Sequence, residues 1–274
     1  MKSQKLTAEL TNLSKQARAA ILSMTTLAAS GHPGGSMSSI DLLLALYAVA
    51  RHDPKNPQLP DRDRIVVSNG HISPAVYSAL ALNGYFSLDK AVSQFRLWGS
   101  IFEGHIEREV PGVEWSSGNL GQGLSAGAGM ALASRINSIP YRVYVMMGDG
   151  EQQEASVWQA AMSAGHFGLD NLCAIVDRNR LQIDGRTGDV MSLEPLEDKY
   201  RSFGWHVDEV DGHDIGAIIA KLRTFPAQPD QPSILIAHTV KGKGVSFVES
   251  DFTWHGRALP PALAEQARVE ILMT

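Results

Sequence analysis

The chain has 274 residues, 44% hydrophobic and 19% charged, with a formal net charge of -5 and an isoelectric point near 6.0. That size and balance suit one large α/β core and exclude a disordered chain, and the acidic balance without a long basic run argues against sequence-independent nucleic-acid binding. The longest strongly apolar patch, Leu42 to Ala50, is too short to span a bilayer and lies outside the position of a secretory leader. The single cysteine, Cys173, excludes an internal disulfide, so a cytoplasmic location is the simplest expectation.

In chain order, Leu6 to Ala28 repeats apolar residues at helical spacing, with Thr7 as its cap. Ser30 to Gly35 (SGHPGG) reads as a turn, followed by a helix over Ser39 to Ala50 with Asp41 near its start, where the helix dipole favours an acid. The stretch 53–63 is a proline-broken surface loop, Arg64 to Val67 a strand, and Pro74 to Leu82 a helix. Gly118 to Arg135 opens with glycines and turns alanine-rich, which permits close helix packing over a turn. Tyr141 to Met147 and Leu172 to Val176 are short apolar runs suited to buried parallel strands, and Cys173 takes a buried apolar role in the second. Between them Ala155 to His166 is a helix, so strand, helix and strand form a right-handed crossover. Ser202 to Asp214 and Ser233 to Val240 are further strands, separated by a helix over Ile215 to Thr224 and a loop over 225–232. No repeat or low-complexity segment is evident. The pattern predicts an α/β fold with a central, mainly parallel sheet flanked by helices, one domain over residues 1–274.

The functional signal is densest from Gly148 to Asn179. Gly148-Asp149-Gly150 directly follows one apolar run and Asn179 directly follows the next, which places both beyond the carboxyl ends of parallel strands, where open sheets bind ligands, often where the chain reverses direction. Asp149 offers an anionic oxygen and Asn179 a neutral one, a mixture suited to a small divalent ion that also keeps phosphate oxygens and a water. The two glycines leave backbone N–H groups and the following helix terminus open to phosphates.

Histidines are the second signal. Of nine, His32, His71, His105 and His255 follow or flank glycines at turns, positions that line polar clefts. An imidazole, with an unperturbed pKa of about 6.5, exchanges protons with hydroxyl groups near neutral pH. No HExxH or CxxC spacing occurs, which argues against a zinc cluster. His52, His166, His206, His213 and His238 read as structural.

Together with these, the segments Ser30 to Gly35, Asp63 to His71, Gly104-His105, Ser117 to Gly123, His238 to Gly244 and Trp254 to Gly256 resemble, in order, the thiamine-diphosphate-binding signature of transketolases. The resemblance spans nearly the whole chain. It implies the thiamine-diphosphate-binding fold, with cofactor contacts from His71, Gly118, Leu120, Gly148, Asp149, Gly150, Glu154 and Asn179. It also implies a metal, Mg²⁺ with Ca²⁺ or Mn²⁺ as alternatives, held by Asp149, Asn179 and the backbone carbonyl of Leu181. His32, His71, His105 and His255 then line a sugar channel, His32 and His255 at the donor's C3 hydroxyl and the acceptor carbonyl, His71 and His105 near the donor's C1 hydroxyl and the cofactor. His166 matches a cofactor-facing position of some relatives. Glu154 either orients ligands, bridging to a partner's glutamate, or is an ordinary helix N-terminal acid. Lys241 and Lys243 either reach a phosphate or form a solvated pair, and Trp254 either walls the channel or fills an interface.

The implied reaction moves a two-carbon ketol unit from a ketose (phosphate) to an aldose (phosphate), with the cofactor as electron sink. In the family, the glutamate that contacts the cofactor's aminopyrimidine lies in a second, pyrimidine-binding domain. The chain ends before reaching it and therefore resembles the N-terminal subunit of a split transketolase, with the pyrimidine-binding and C-terminal domains on a partner chain in an α2β2 assembly. Asn119, Ala155 and Arg178 depart from common family residues and put substrate preference in doubt rather than cofactor binding. Two other expectations compete: the α-subunit of a 2-oxo acid dehydrogenase, which shares GDG and Asn but not the SGHPGG, SNGH and TWHG segments, and a non-catalytic assembly component, against which the intact Asp149, Asn179 and histidines argue.

Overall fold

A computed structural model describes residues 2–273. The elements are α1 (Lys2–Leu27), α2 (Pro33–Tyr47), β1 (Arg64–Val67), α3 (Ser73–Leu82), α4 (Leu88–Gln94), α5 (Gly123–Ile136), β2 (Val143–Gly148), α6 (Ala155–His166) and β3 (Leu172–Arg178). There follow a hairpin of β4 (Leu181–Gln182) and β5 (Gly185–Arg186), then α7 (Thr187–Val190), α8 (Leu196–Ser202), β6 (His206–Asp211), α9 (Ile215–Arg223), β7 (Ser233–His238) and α10 (Pro261–Met273). Among the described residues no helix is long and apolar enough to cross a membrane.

Five strands form one sheet in the order β1-β2-β3-β7-β6, and every pairing in it is parallel. Alternate residues of the central strands feed two cores. Val143, Val145, Met147, Ala174 and Val176 face α5 and α6, while Tyr144, Met146, Cys173, Ile175 and Leu235 face α1, α2 and α9. Burial of both faces is why these strands read as continuous apolar runs. The small residues of α5 let it lie close to the sheet: a side chain at Gly127 would come within 2.4 Å of Val145.

The winding explains the position of the site. β1, β2 and β3 lie side by side in chain order, whereas β6 takes the far edge and β7 returns to pair with β3. The change of direction therefore falls between β3 and β7, not between the two strands that carry Asp149 and Asn179. Consequently the loop after β7 joins the loops after β2 and β3.

Two local expectations are corrected. α1 already runs from Lys2, so Thr7 lies inside the helix, where its carbonyl accepts a hydrogen bond from Thr11 Oγ1 at 2.9 Å, and is not a cap. α2 begins at Pro33, because proline's fixed φ suits the first helical position, so Gly34 and Gly35 form its first turn. Asp41 consequently sits in the body of α2, only 4% exposed. Its carboxylate accepts hydrogen bonds from Arg18 Nη2 at 2.6 Å, from His213 Nδ1 at 2.8 Å and from Ser14 Oγ. The Val240 N–H donates to His213 Nε2 at 2.8 Å, which leaves the imidazole proton on Nδ1, facing Asp41. Burial opposes ionisation of Asp41, but Arg18, His213 and Ser14 outweigh it and hold the carboxyl below its usual range. The cluster ties α1 and α2 to the loop that follows β7. Removing one partner of a buried ion pair leaves the other unpaired. Asp41→Ala is expected to lower the unfolding free energy by about 3–5 kcal/mol, whereas Asp61→Ala, in the exposed pair with Arg51, should change it by no more than about 1 kcal/mol. Denaturant titrations that give similar small losses for both would contradict this.

Candidate active site

Beyond the carboxyl ends of the strands lies a cavity of about 360 Å³, and all twelve residues expected at the site line it. His71 lies in the turn after β1, Gly118 and Leu120 in the loop before α5, and Gly148, Asp149 and Gly150 at the end of β2. Glu154 occupies the N-cap of α6, Asn179 and Leu181 follow β3, His32 caps α2, His105 lies between α4 and α5, and His255 follows β7. His166 is exposed at the end of α6, its ring edge-on to Phe167, and is not among the residues around the cavity.

One end of the cavity carries buried charge. Asp149 is 2% exposed; its carboxylate accepts hydrogen bonds from Gly150 N at 2.8 Å, Arg178 Nη1 at 3.2 Å and Arg180 N. Burial and the neighbouring Asp177 push its carboxyl up to about 6, against the pull of Lys241 and Arg178. Asp177 itself accepts from Ser38 and Ser39, each at 2.6 Å, and from Thr239. Asn179 Oδ1 accepts the Leu181 N–H at 3.1 Å, while Lys241 Nζ donates to the Leu181 carbonyl at 3.1 Å.

Lys241 is only 2% exposed, which overturns the reading of Lys241 and Lys243 as a solvated pair. Lys243 alone is partly exposed, 3.5 Å from Glu249. Arg178, one of the departures from the family pattern, bridges Asp149 to Glu194 and donates to Thr187 at 3.1 Å, fastening the segment around α7 to the GDG turn.

Glu151 is a residue that pattern reading missed. Its buried carboxylate accepts from Gly121 N at 2.7 Å, Gly148 N at 3.0 Å and Ser68 Oγ, and Ser68 in turn accepts from Gly123 N at 2.9 Å. One side chain thus fixes three loops around the cavity. Burial raises the Glu151 carboxyl, and these three donors oppose that rise.

The other end of the cavity is a histidine cluster. Ring centroids lie 5.1 Å apart for His32 and His71, 5.7 Å for His32 and His255, 5.6 Å for His71 and His255, and 6.1 Å for His32 and His105. Burial, then the charges of His105, Arg96 and Lys241, lowers His32 to about 4, and burial, then Lys241 and His32, lowers His255 to about 3. His71 falls well below the usual imidazole value and His105 falls too, in both chiefly through burial. All four are therefore neutral at pH 7, able to accept a proton or a hydrogen bond.

The fit to ligands rests on unfilled valences. Asn69 Oδ1, His32 Nδ1 and His255 Nδ1 are buried and have no hydrogen-bond partner, and all three residues line the same cavity. Buried polar atoms left in that state point to a missing partner. No cluster of three or more His, Cys, Asp or Glu among the described residues is disposed to hold a metal. A cation here would instead meet one carboxylate (Asp149), one amide oxygen (Asn179) and one backbone carbonyl (Leu181), and the ammonium already bonded to that carbonyl shows that the position suits positive charge.

Comparison with known proteins agrees with this geometry. The family described as transketolase, thiamine diphosphate binding domain, matches residues 11–272. The chain belongs to the transketolase family. Similar members include the 6-deoxy-6-sulfo-D-fructose transketolase subunit SqwG of Clostridium sp. (42% identical, 88% of each chain covered) and a subunit of the apulose-4-phosphate transketolase of Phocaeicola vulgatus (44% identical, 88% of this chain and 86% of the relative). Human transketolase is 35% identical over 98% of this chain, which spans 42% of that protein. In structure, transketolase from Campylobacter jejuni superposes with a TM-score of 0.89 at 31% identity, covering 97% of this chain and 43% of that one. The family places thiamine diphosphate binding in this domain.

The neutral histidines have a measurable consequence. Because their folded pKa values lie below the unfolded value, the stability linked to them is full above about pH 6.5 and is lost as pH falls through the folded values. The imidazole NMR signals of His32 and His255 should keep their neutral-form shifts from pH 8 down to about 5.5; titration of either near 6.5 would contradict their burial.

Proposed function

We propose that this chain is the diphosphate-binding half of a two-chain transketolase that transfers a two-carbon ketol unit from a ketose, phosphorylated or otherwise anionic, to an aldose. The observation that carries the reading is the union, in one cavity, of the Asp149, Asn179 and Leu181 cation position with four neutral histidines. The relatives named as subunits, which this chain matches over most of their length, support a partner chain.

In this reading Asp149, Asn179 and the Leu181 carbonyl hold a divalent ion, Mg²⁺ being the first choice, beside the diphosphate. Gly148 and Gly150 carry no side chain that would keep a phosphate from the end of β2, and the ammonium of Lys241 complements its charge. Gly118, Leu120, Glu154 and His71 line the remainder of the cofactor site. When bound, thiamine diphosphate supplies the nucleophilic carbon and the electron sink for breaking the ketose C2–C3 bond. His32 and His255 accept the proton of the donor's C3 hydroxyl and return one to the acceptor carbonyl oxygen. His71 and His105 orient the C1 hydroxyl. Imidazoles held neutral by burial perform these exchanges without a prior deprotonation. The partner closes the cavity and contributes the glutamate for the cofactor's aminopyrimidine.

The test is reconstitution of the two chains with thiamine diphosphate, Mg²⁺ and a panel of ketoses and aldoses. The pair should turn over, the chain alone should not, and His105→Ala in the pair should lower kcat by about 10²- to 10⁴-fold. Turnover by the chain alone sinks the two-chain reading, and unchanged turnover in His105→Ala sinks the histidine assignment.

A further inference from the structure

Beside the cation position stands a buried carboxylate whose hydrogen-bond donors are all uncharged. Asp177 follows the apolar run of β3, in register with Gly148 on β2 and Ala237 on β7. It is 1% exposed although it borders the cofactor cavity. Oδ2 accepts hydrogen bonds from Ser38 Oγ and Ser39 Oγ, both at 2.6 Å. Oδ1 accepts from Thr239 Oγ1 and from Asn179 Nδ2, the latter at 3.3 Å.

The count of these bonds decides what Asp177 can do. A carboxylate offers about four lone-pair sites, and the four donors fill them, so neither oxygen is left to coordinate a metal ion. An ionised carboxylate cannot donate, so it takes only the NH2 side of the Asn179 amide. Asn179 Oδ1 is thereby turned the other way, where it accepts the Leu181 N–H at 3.1 Å and keeps a second lone pair. Arg180, in the left-handed region with φ 66°, makes the turn that returns the Leu181 N–H to that oxygen. An unrestrained amide takes either of two nearly isosteric orientations, and the reversed one would aim N–H groups at a cation.

We propose that Asp177 is a positioning residue for the metal ion: without touching the ion, it holds the Asn179 amide in the orientation that presents Oδ1 to it. The inference rests on the assignment of Asn179 as a cation ligand. Ser38 and Ser39 on α2 and Thr239 beyond β7 hold the carboxylate, and the carboxylate holds the ligand. Asp177→Asn keeps an acceptor for the amide, because serine hydroxyls can turn from donating to accepting and so admit the new NH2 group on their side. Asp177→Ala removes the acceptor. A carboxylate that acted by charge alone would make the two variants equal.

The experiment measures Mn²⁺ affinity of the full chain in saturating thiamine diphosphate, read from the EPR signal of free Mn²⁺. Asp177→Ala and Asp177→Asn are each compared with Asn179 intact and in an Asn179→Ala background. With Asn179 present, Asp177→Ala should weaken Mn²⁺ binding by about 10- to 100-fold. Once Asn179 is gone the same change should cost less than about threefold, since a residue that acts through another loses its effect with it. Asp177→Asn should recover most of the loss. Equal weakening in both backgrounds, or Asp177→Asn as weak as Asp177→Ala, overturns the proposal. Should Asp177→Ala not fold, NMR of the Asn179 side-chain NH2 pair, identified by its loss in Asn179→Ala, decides. The hydrogen facing Asp177 should exchange with solvent about tenfold more slowly than its geminal partner, and equally fast exchange of both overturns the proposal. Absence of Mn²⁺ binding by the wild-type chain is a failure of the cation assignment instead, and the same exchange measurement then decides whether Asp177 holds the amide.

Discussion

Two carboxylates buried at the ends of neighbouring strands govern the site. Asp149 closes β2 and Asp177 closes β3, close enough that each charge opposes the other, and neither is open to water. Such a pair persists only when cations and hydrogen-bond donors are brought to it. The fold brings Lys241 from the loop after β7, Arg178 from β3 itself, and hydroxyls from Ser38, Ser39 and Thr239. Chain reversal between β3 and β7 is what carries Lys241 within reach of β2. A diphosphate and its metal ion need the same arrangement of anionic ligand, backbone donors and nearby cation.

That electrostatic centre is braced from behind. His213 holds the Val240 N–H on one side and Asp41 on the other, so Lys241 hangs from a backbone anchored to the buried Arg18 and Asp41 pair. Glu151 does the same for the opposite wall, gathering the loops at Gly121, Gly148 and Ser68. A polar network this buried is favourable only when every member is satisfied. The atoms left unsatisfied on Asn69, His32 and His255 belong to residues around the cavity itself.

The parallel core was legible because strands buried on both faces must be apolar throughout, as in Tyr144 to Met147 and Leu172 to Val176. The GDG turn and Asn179 were legible because each lies next to such a run, and the histidines because glycines flank them. Other residues gave no local signal. Asp41 looked like a helix-start acid because proline's suitability for the first helical position was outweighed by the glycines around it. Lys241, followed by a glycine and a second lysine, had the pattern of an exposed residue, and only the strand order reveals that its loop closes on Asp149. Glu151 takes its meaning from distant backbone, at Gly121, which no spacing along the chain encodes.

The central claim is that this chain grips the cofactor by its diphosphate. Calorimetric titration of the chain with thiamine diphosphate and with unphosphorylated thiamine, both in Mg²⁺, tests it most directly. Charge-assisted bonds to two phosphates lead us to expect affinity for the diphosphate at least about a hundredfold above that for thiamine. Equal affinity for the two would contradict the account.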